Sequence, residues 1–194
     1  GNNTNGDHGD LKVIGNSTPR YEYSFRLGAD YKGFDFSIYC QGIGKRKIWG
    51  AGQLAIPGWN AKEGAMPETF CKDYWTEDNT DAYYPRAWDL GGSNTGFTMQ
   101  RQSKYLLNMA YLRVKNINFG YTFPQKWMKK AYINNLRVYM SLENFFTFDH
   151  LRGLPIDPEA ISGYSMFSDN YNLGRTGTGT PVFKSLSFGL QLSF

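Results

Sequence analysis

The feature that most restricts the fold is the stretch from Pro181 to Phe194, PVFKSLSFGLQLSF, whose side chains alternate almost without a break. Leu186, Phe188, Leu190, Leu192 and Phe194 share one parity, and Ser185, Ser187, Gly189, Gln191 and Ser193 share the other. Successive side chains of a strand point to opposite faces, so this segment has one apolar face and one small, polar face. Such a strand serves a soluble sandwich if the apolar face meets a core, or a membrane barrel if it meets lipid. The closing aromatic favours the barrel. Soluble domains tend to fray into polar tails, whereas barrel strands end in aromatic girdles.

The same period returns along the chain. Tyr21, Tyr23, Phe25, Leu27 and Ala29 alternate with Arg20, Glu22, Ser24, Arg26 and Asp30; after a turn at Tyr31-Lys32-Gly33, Phe34, Phe36, Ile38 and Cys40 alternate with Asp35, Ser37, Tyr39 and Gln41. This predicts a hairpin. Tyr105 to Phe123 reads as one long strand whose apolar parity changes partway. Leu112 and Val114 lie opposite Arg113 and Lys115, and then Ile117, Phe119, Tyr121 and Phe123 take over, so one extra residue near Asn116 is expected to bulge. Pro124 to Asn135 reads as one or two helical turns, and Leu136 to Phe148 as a fourth strand. Five strands of about 11 to 19 residues result, enough to cross a bilayer, which needs roughly 9 to 11.

The polar parity carries full charges. Arg26, Asp35, Arg113, Lys115, Arg137 and Glu143 are expected to line a wet lumen, with Tyr23, Phe36, Val138 and Leu190 on lipid. The make-up agrees with a barrel: 17% aromatic, with 14 Tyr and 14 Phe, yet a mean hydropathy of −0.52. No run of roughly 18 apolar residues suggests a spanning helix.

Other classes find little support. The net charge of +4 is scattered, with Lys45-Arg46-Lys47 and Lys129-Lys130 as small clusters, so nucleic acid is not an expected partner. Cys40 and Cys71 allow one bridge at most and no zinc site; Cys40 falls mid-strand and Cys71 in a loop, and no disulfide is expected. Asn3, Asn5, Asp7 and Asp10 are spaced a little like a calcium loop but lack its bidentate Glu. Gly42-Ile43-Gly44-Lys45 lacks both the first glycine and the following Ser or Thr of a phosphate loop. Asp73, Glu77, Asp78 and Asp81 have no regular element to fix a catalytic separation. Neither an enzyme nor a cofactor is therefore expected.

Trp49 to about Lys104 has no sustained period and holds, in it or at its edge, Trp49, Trp59, Trp75 and Trp88. So long an irregular segment is usually functional or disordered, and the rings argue for order. Trp59, Trp75 and Trp88 are candidates for contact with substrate or with a capping partner; equally, they pack a core of the loop's own.

Several segments resemble, in family order, the SusC/RagA family of TonB-dependent transporters of Bacteroidetes. They are Ile14 to Tyr21 (IGNSTPRY), Ala29 to Asp35 (ADYKGFD) with Gln41-Gly42, Asp73 to Thr76, Tyr84-Pro85-Arg86, Ala110 to Asn116 (AYLRVKN), Gly120-Tyr121 and Ser187 to Leu190. The closing strand, through Phe188, Leu190, Leu192 and Phe194, resembles the C-terminal signal read by the barrel-assembly machinery. The resemblance implies an all-β, 22-stranded antiparallel barrel in the outer membrane, of which residues 1–194 are the C-terminal portion, with the plug and earlier strands lying elsewhere. It also implies import of oligosaccharides or peptides, energised by the TonB complex through the missing N-terminal part and shared with a SusD-like lipoprotein. Short connections at Lys32-Gly33 and Pro124 to Asn135 are then periplasmic, and the loops at 46 to 104 and 149 to 180 extracellular. The alternative from the residues alone is a soluble all-β carbohydrate-binding module with aromatic loops.

Overall fold

A computed structural model describes residues 4, 6–7, 9–50, 52–58, 66–86, 100–159, 176–177 and 179–194. Its elements in chain order are β1 (Tyr21–Tyr31), β2 (Phe34–Gly44), β3 (Lys47–Ile48), α1 (Glu68–Lys72), β4 (Leu107–Asn108), β5 (Tyr111–Thr122), α2 (Gln125–Met128), a 3-10 turn (Lys129–Ala131), β6 (Asn135–Asp149) and β7 (Ser185–Ser193). They divide into two compact units. One gathers Gly1–Pro19, Lys45–Met109 and Leu151–Gly179, and the other Arg20–Gly44, Ala110–His150 and Thr180–Phe194.

The second unit is an antiparallel sheet in the order β1-β2-β5-β6-β7. Tyr31 pairs with Phe34, so β1 and β2 are joined by two residues, Lys32 and Gly33, at φ +48° and +89°. Positive φ at both centres is the turn that matches the strands' own twist. Gly33 is required there on a second count: a Cβ would stand 2.6 Å from the Thr122 carbonyl oxygen, while Thr122 N–H donates to the Gly33 carbonyl at 2.7 Å.

The registers sort every side chain by face. Phe25, Cys40, Val114 and Phe146 form one row, Leu27, Ile38, Ile117, Leu142 and Leu186 a second, and Ala29, Phe36, Phe119, Met140 and Phe188 a third, all on the apolar face. The opposite face carries Arg26 beside Tyr39 and Asn116, and Ser37 beside Asn118, Ser141 and Ser187. The eleven residues of β1, at about 3.3 Å each and a tilt of about 40°, cover roughly 25 Å of thickness, the height of a barrel's lipid-facing band.

The expected bulge is present. Cys40 pairs with Val114 but Tyr39 with Asn116, and β6 shifts between the same two β5 residues, so Lys115 falls between registered pairs on both sides. This lets Leu112 and Val114 share a face with Ile117 and Phe119. Asn144, opposite the shift, adopts φ +56°, a left-handed conformation that Asn tolerates better than most residues.

Two boundaries differ from the sequence reading. The strand expected over Tyr105 to Phe123 is broken: Leu107–Asn108 pairs with Lys47–Ile48 in a separate ribbon, and the long strand begins at Tyr111. Hydrophobic periodicity cannot register this, because a two-residue ribbon strand is too short to display a period. The closing strand is Ser185–Ser193, nine residues rather than fourteen, so Phe194 lies just beyond it.

The first unit has a core of its own, made by Ile48, Ala55, Ile56, Phe70, Tyr84, Leu107, Met109, Leu151, Leu154 and Ile156, with Trp49, Leu54, Tyr83 and Tyr105 against it. Within its described residues, the long aperiodic segment thus contributes Ala55, Ile56, Phe70 and Tyr84 to a packed core, as the ordered reading of its rings expected. Helix α1 is short because Pro67 starts it and Asp73 already leaves helical φ and ψ; Phe70 is its buried anchor. Arg152, with its guanidinium 4.0 Å from the Tyr83 ring centre and 3.3 Å from the Asp73 carboxylate, ties the segment around 152 to that around 73–83.

Candidate functional site

The polar face of the sheet is built around arginines. Arg137 on β6 reaches across β5 to Asp35 on β2, with Nε donating to Oδ2 at 2.9 Å and Nη2 to Oδ1 at 2.5 Å. The strand between them offers no side chain to obstruct this, because Asp35 registers with Gly120. A Cβ at Gly120 would meet Asp35 Oδ2 at 2.4 Å and Arg137 Nη2 at 2.6 Å. Paired forks of this kind are among the stronger hydrogen-bonded ion pairs.

Each of the three arginines of this face also lies over a tyrosine of the same face. Arg26 stands 5.9 Å from the ring centre of Tyr39, Arg113 5.7 Å from Tyr111, and Arg137 4.9 Å from Tyr139. The attraction of a guanidinium to a ring face holds these long side chains against the sheet. Arg113 is 3% exposed and donates through Nε to Thr147 Oγ1 at 2.9 Å. Further along the face, Asn116 donates to Ser141 Oγ at 3.0 Å, and Asn118 donates to Asn116 Oδ1. Glu143 registers with Asn116 and Ser185, on the same face. The sequence therefore named Arg26, Asp35, Arg113, Arg137 and Glu143 for one face, and the ladders bring them to one. Lys115 is the exception, since the bulge gives it no registered place in the row of Arg113 and Asn116.

Tyr39 was expected on this face, but the stacking of the arginines on its tyrosines, and the crossing over Gly120, escaped the sequence reading. Parity alone contains part of the signal: Tyr111 and Arg113 are two apart, as are Arg137 and Tyr139. The Asp35 to Arg137 contact spans 102 positions, and only the register reveals it.

In the first unit, Trp75 lines a cavity of about 610 Å³ with Pro57, Met66, Tyr74, Glu77 and Arg86. Trp59 and Trp88 lie outside the described residues, as do Asn3 and Asn5 of the calcium-like spacing. Beside the cavity, Tyr84 packs edge-on against Phe70 at 4.8 Å. Burial, with Tyr83 adjacent, pushes the Tyr84 hydroxyl up to about 12. Tyr105 is raised by burial as well. Among the described residues no group of three His, Cys, Asp or Glu is placed to hold a metal ion. Cys40 and Cys71 are free thiols, the first buried and the second exposed.

A sheet with one exposed apolar face, one charged face, two-residue and long connections at opposite strand ends, and strands of bilayer-crossing length has the build of a membrane β-barrel's wall. Known proteins narrow this. The chain is 27% identical over 186 residues to TonB-dependent receptor P3 of Formosa agariphila (strain DSM 15362 / KCTC 12365 / LMG 23005 / KMM 3901 / M-2Alg 35-1), covering 95% of the chain and 17% of that protein. It is 26% identical over 146 residues to TonB-dependent receptor P39 of the same strain, covering 74% of the chain and 14% of that protein. Among solved structures, the RagAB peptide importer in its closed-closed state superposes with a TM-score of 0.63 at 25% identity, over 94% of this chain and 18% of the matched one. No protein-family model matches the chain. The chain is thus similar to TonB-dependent receptors and to the RagAB importer, and it spans less than a fifth of the length of these relatives.

Proposed function

We propose that this chain forms part of the wall and mouth of an outer-membrane importer for oligopeptides or glycans. In this reading the five strands belong to a closed 22-stranded barrel whose remaining strands and plug lie elsewhere in the protein. The observation that carries it is the division of the sheet into an exposed apolar face and a face of hydrogen-bonded, ring-stacked arginines. A soluble binding module would bury the apolar face, whereas here Leu27, Phe119, Phe148, Phe188 and Leu190 are all exposed. The free edges of β1 and β7 fit the same reading, since an open edge in lipid leaves backbone groups unsatisfied.

The arginine face lines the lumen; there the exposed Arg26, held over Tyr39, offers charge to a passing ligand, while the buried Arg113 and the Asp35-paired Arg137 organise the wall. Trp75 and the cavity it lines in the first unit serve the substrate or a SusD-like lipoprotein; the same role is proposed for Trp59 and Trp88. The TonB complex engages another part of the protein and supplies the energy. The likeness to a peptide importer supports oligopeptides as the first class to try.

The test is uptake of labelled oligopeptides and oligosaccharides by cells carrying the full-length transporter. Trp75→Ala leaves the buried core side chains in place; it is expected to lower uptake of one ligand class, or capture of the lipoprotein, while the amount of heat-modifiable barrel in the outer membrane stays unchanged. Unaltered uptake of both classes and unaltered lipoprotein capture defeat the role given to the loop.

A further inference from the structure

We propose that the connection between β5 and β6 is a docking platform for anionic phospholipid headgroups of the leaflet facing the short turns. The proposal rests on the barrel reading above. Tyr31, Phe34 and Tyr121 occupy one row across β1, β2 and β5, so the apolar face ends in rings at the strand ends that bear the short connections. The Phe34 and Tyr121 ring centres are 4.5 Å apart, and those of Tyr121 and Phe123 are 5.0 Å apart. Past this row of rings, the segment from Pro124 to Asn135 contains Lys126, Lys129 and Lys130 and no acidic residue. All three lysines are exposed. Trp127 is 62% and Tyr132 90% exposed.

This order along the membrane normal, apolar side chains, then rings, then cations, is the order of hydrocarbon, interface and phosphate. The platform is fixed in place. Phe123 N–H donates to the Leu136 carbonyl at 2.9 Å, Trp127 N–H to that of Pro124 at 3.0 Å, and Asn134 N–H to that of Ser193 at 2.8 Å. Tyr132 is held at φ +57°, uncommon for a large side chain. Held there, it presents its ring almost wholly to solvent. Three cations without a counter-charge in their own segment select an anionic headgroup, and continuity with the lipid-facing rings favours a membrane over a soluble partner. At low salt each lysine close to an anionic surface is worth roughly fivefold in binding.

The test uses the full-length transporter in phosphatidylcholine bilayers containing either brominated phosphatidylglycerol or brominated phosphatidylcholine. The Trp127 signal is isolated by difference from Trp127→Phe. Quenching by the glycerol lipid is expected to exceed that by the choline lipid several-fold, and the two should become equal at high salt or in a variant combining Lys126→Gln, Lys129→Gln and Lys130→Gln. Equal quenching in the unmodified protein, or a preference that survives loss of the three lysines, overturns the proposal. So does a photo-crosslinker at position 127 that captures a periplasmic protein in cells instead of lipid. Leu190→Trp separates the two readings: a barrel quenches that ring with either lipid regardless of the lysines, and no quenching there overturns the barrel reading itself.

Discussion

Gly120 is the position where a single methyl group should have the most informative effect. In Gly120→Ala the new carbon meets Asp35 Oδ2 at 2.4 Å and Arg137 Nη2 at 2.6 Å, so the ion pair must swing off β5. Both obstructing groups are ends of flexible side chains, and the backbone need not move. The cost is then chiefly that of the pair itself. With side chains 25% and 29% exposed, the pair lies between exposed pairs at about 0.2 to 1 kcal/mol and buried ones at about 3 to 5 when one partner is removed. A loss of about 1 to 2 kcal/mol follows. Because all-or-none unfolding holds mainly for small single domains, the quantity to read is local amide exchange in β2, β5 and β6 of the full-length protein. Exchange of the Phe34 to Phe36 and Phe119 to Tyr121 amides should accelerate by about five- to thirtyfold. In a background carrying Asp35→Ala and Arg137→Ala, the same methyl group should change exchange by less than about twofold, since contacting residues couple and absent ones do not. An equal effect in both backgrounds would refute the claim that Gly120 exists to let the pair cross.

Deleting Lys115 removes the residue that resets the face, so either Leu112 and Val114 or Ile117 and Phe119 must turn inward; heat-modifiable barrel should nearly vanish from the outer membrane, and normal amounts would contradict the register. Leu190→Arg should cost roughly 2 to 4 kcal/mol if its site lies at the bilayer midplane, whereas Gln191→Arg should be nearly silent, as judged by thermal unfolding in bilayers. The neutral Tyr84 hydroxyl is favoured by folding, so its contribution is complete below about 10, the unfolded value, and is lost as pH rises toward about 12; Tyr84→Phe should flatten the alkaline loss of protection around Phe70, and an unchanged profile would assign that loss to another group. A water-soluble maleimide should label Cys71 rapidly and leave Cys40 unlabelled, which peptide mass mapping reads directly, because only the former is exposed.

The division of the strands into two faces was already written in the local pattern of residues. A period of two is a local property of the extended chain, so Phe25, Ile38 and Leu190 were legible as one set and Arg26, Asp35 and Arg137 as another without knowledge of any partner strand. The bulge was legible for the same reason, since the change of parity between Val114 and Ile117 has no regular solution. The short helical connection after Pro124 followed from local backbone chemistry as well. Tertiary structure alone decided what lies between distant segments. That Tyr105 to Phe123 is cut into a ribbon strand and a sheet strand depends on Lys47–Ile48 being available to pair with Leu107–Asn108. That the aperiodic loop encloses a core depends on Ile48, Phe70, Met109 and Leu151 converging from segments up to about a hundred residues apart. Irregular backbone leaves no period for the sequence to display, however well its side chains pack. The crossing of Arg137 to Asp35 above Gly120 is of the same kind: each residue's face is written locally, but which three meet is set by register, and register is a property of paired strands.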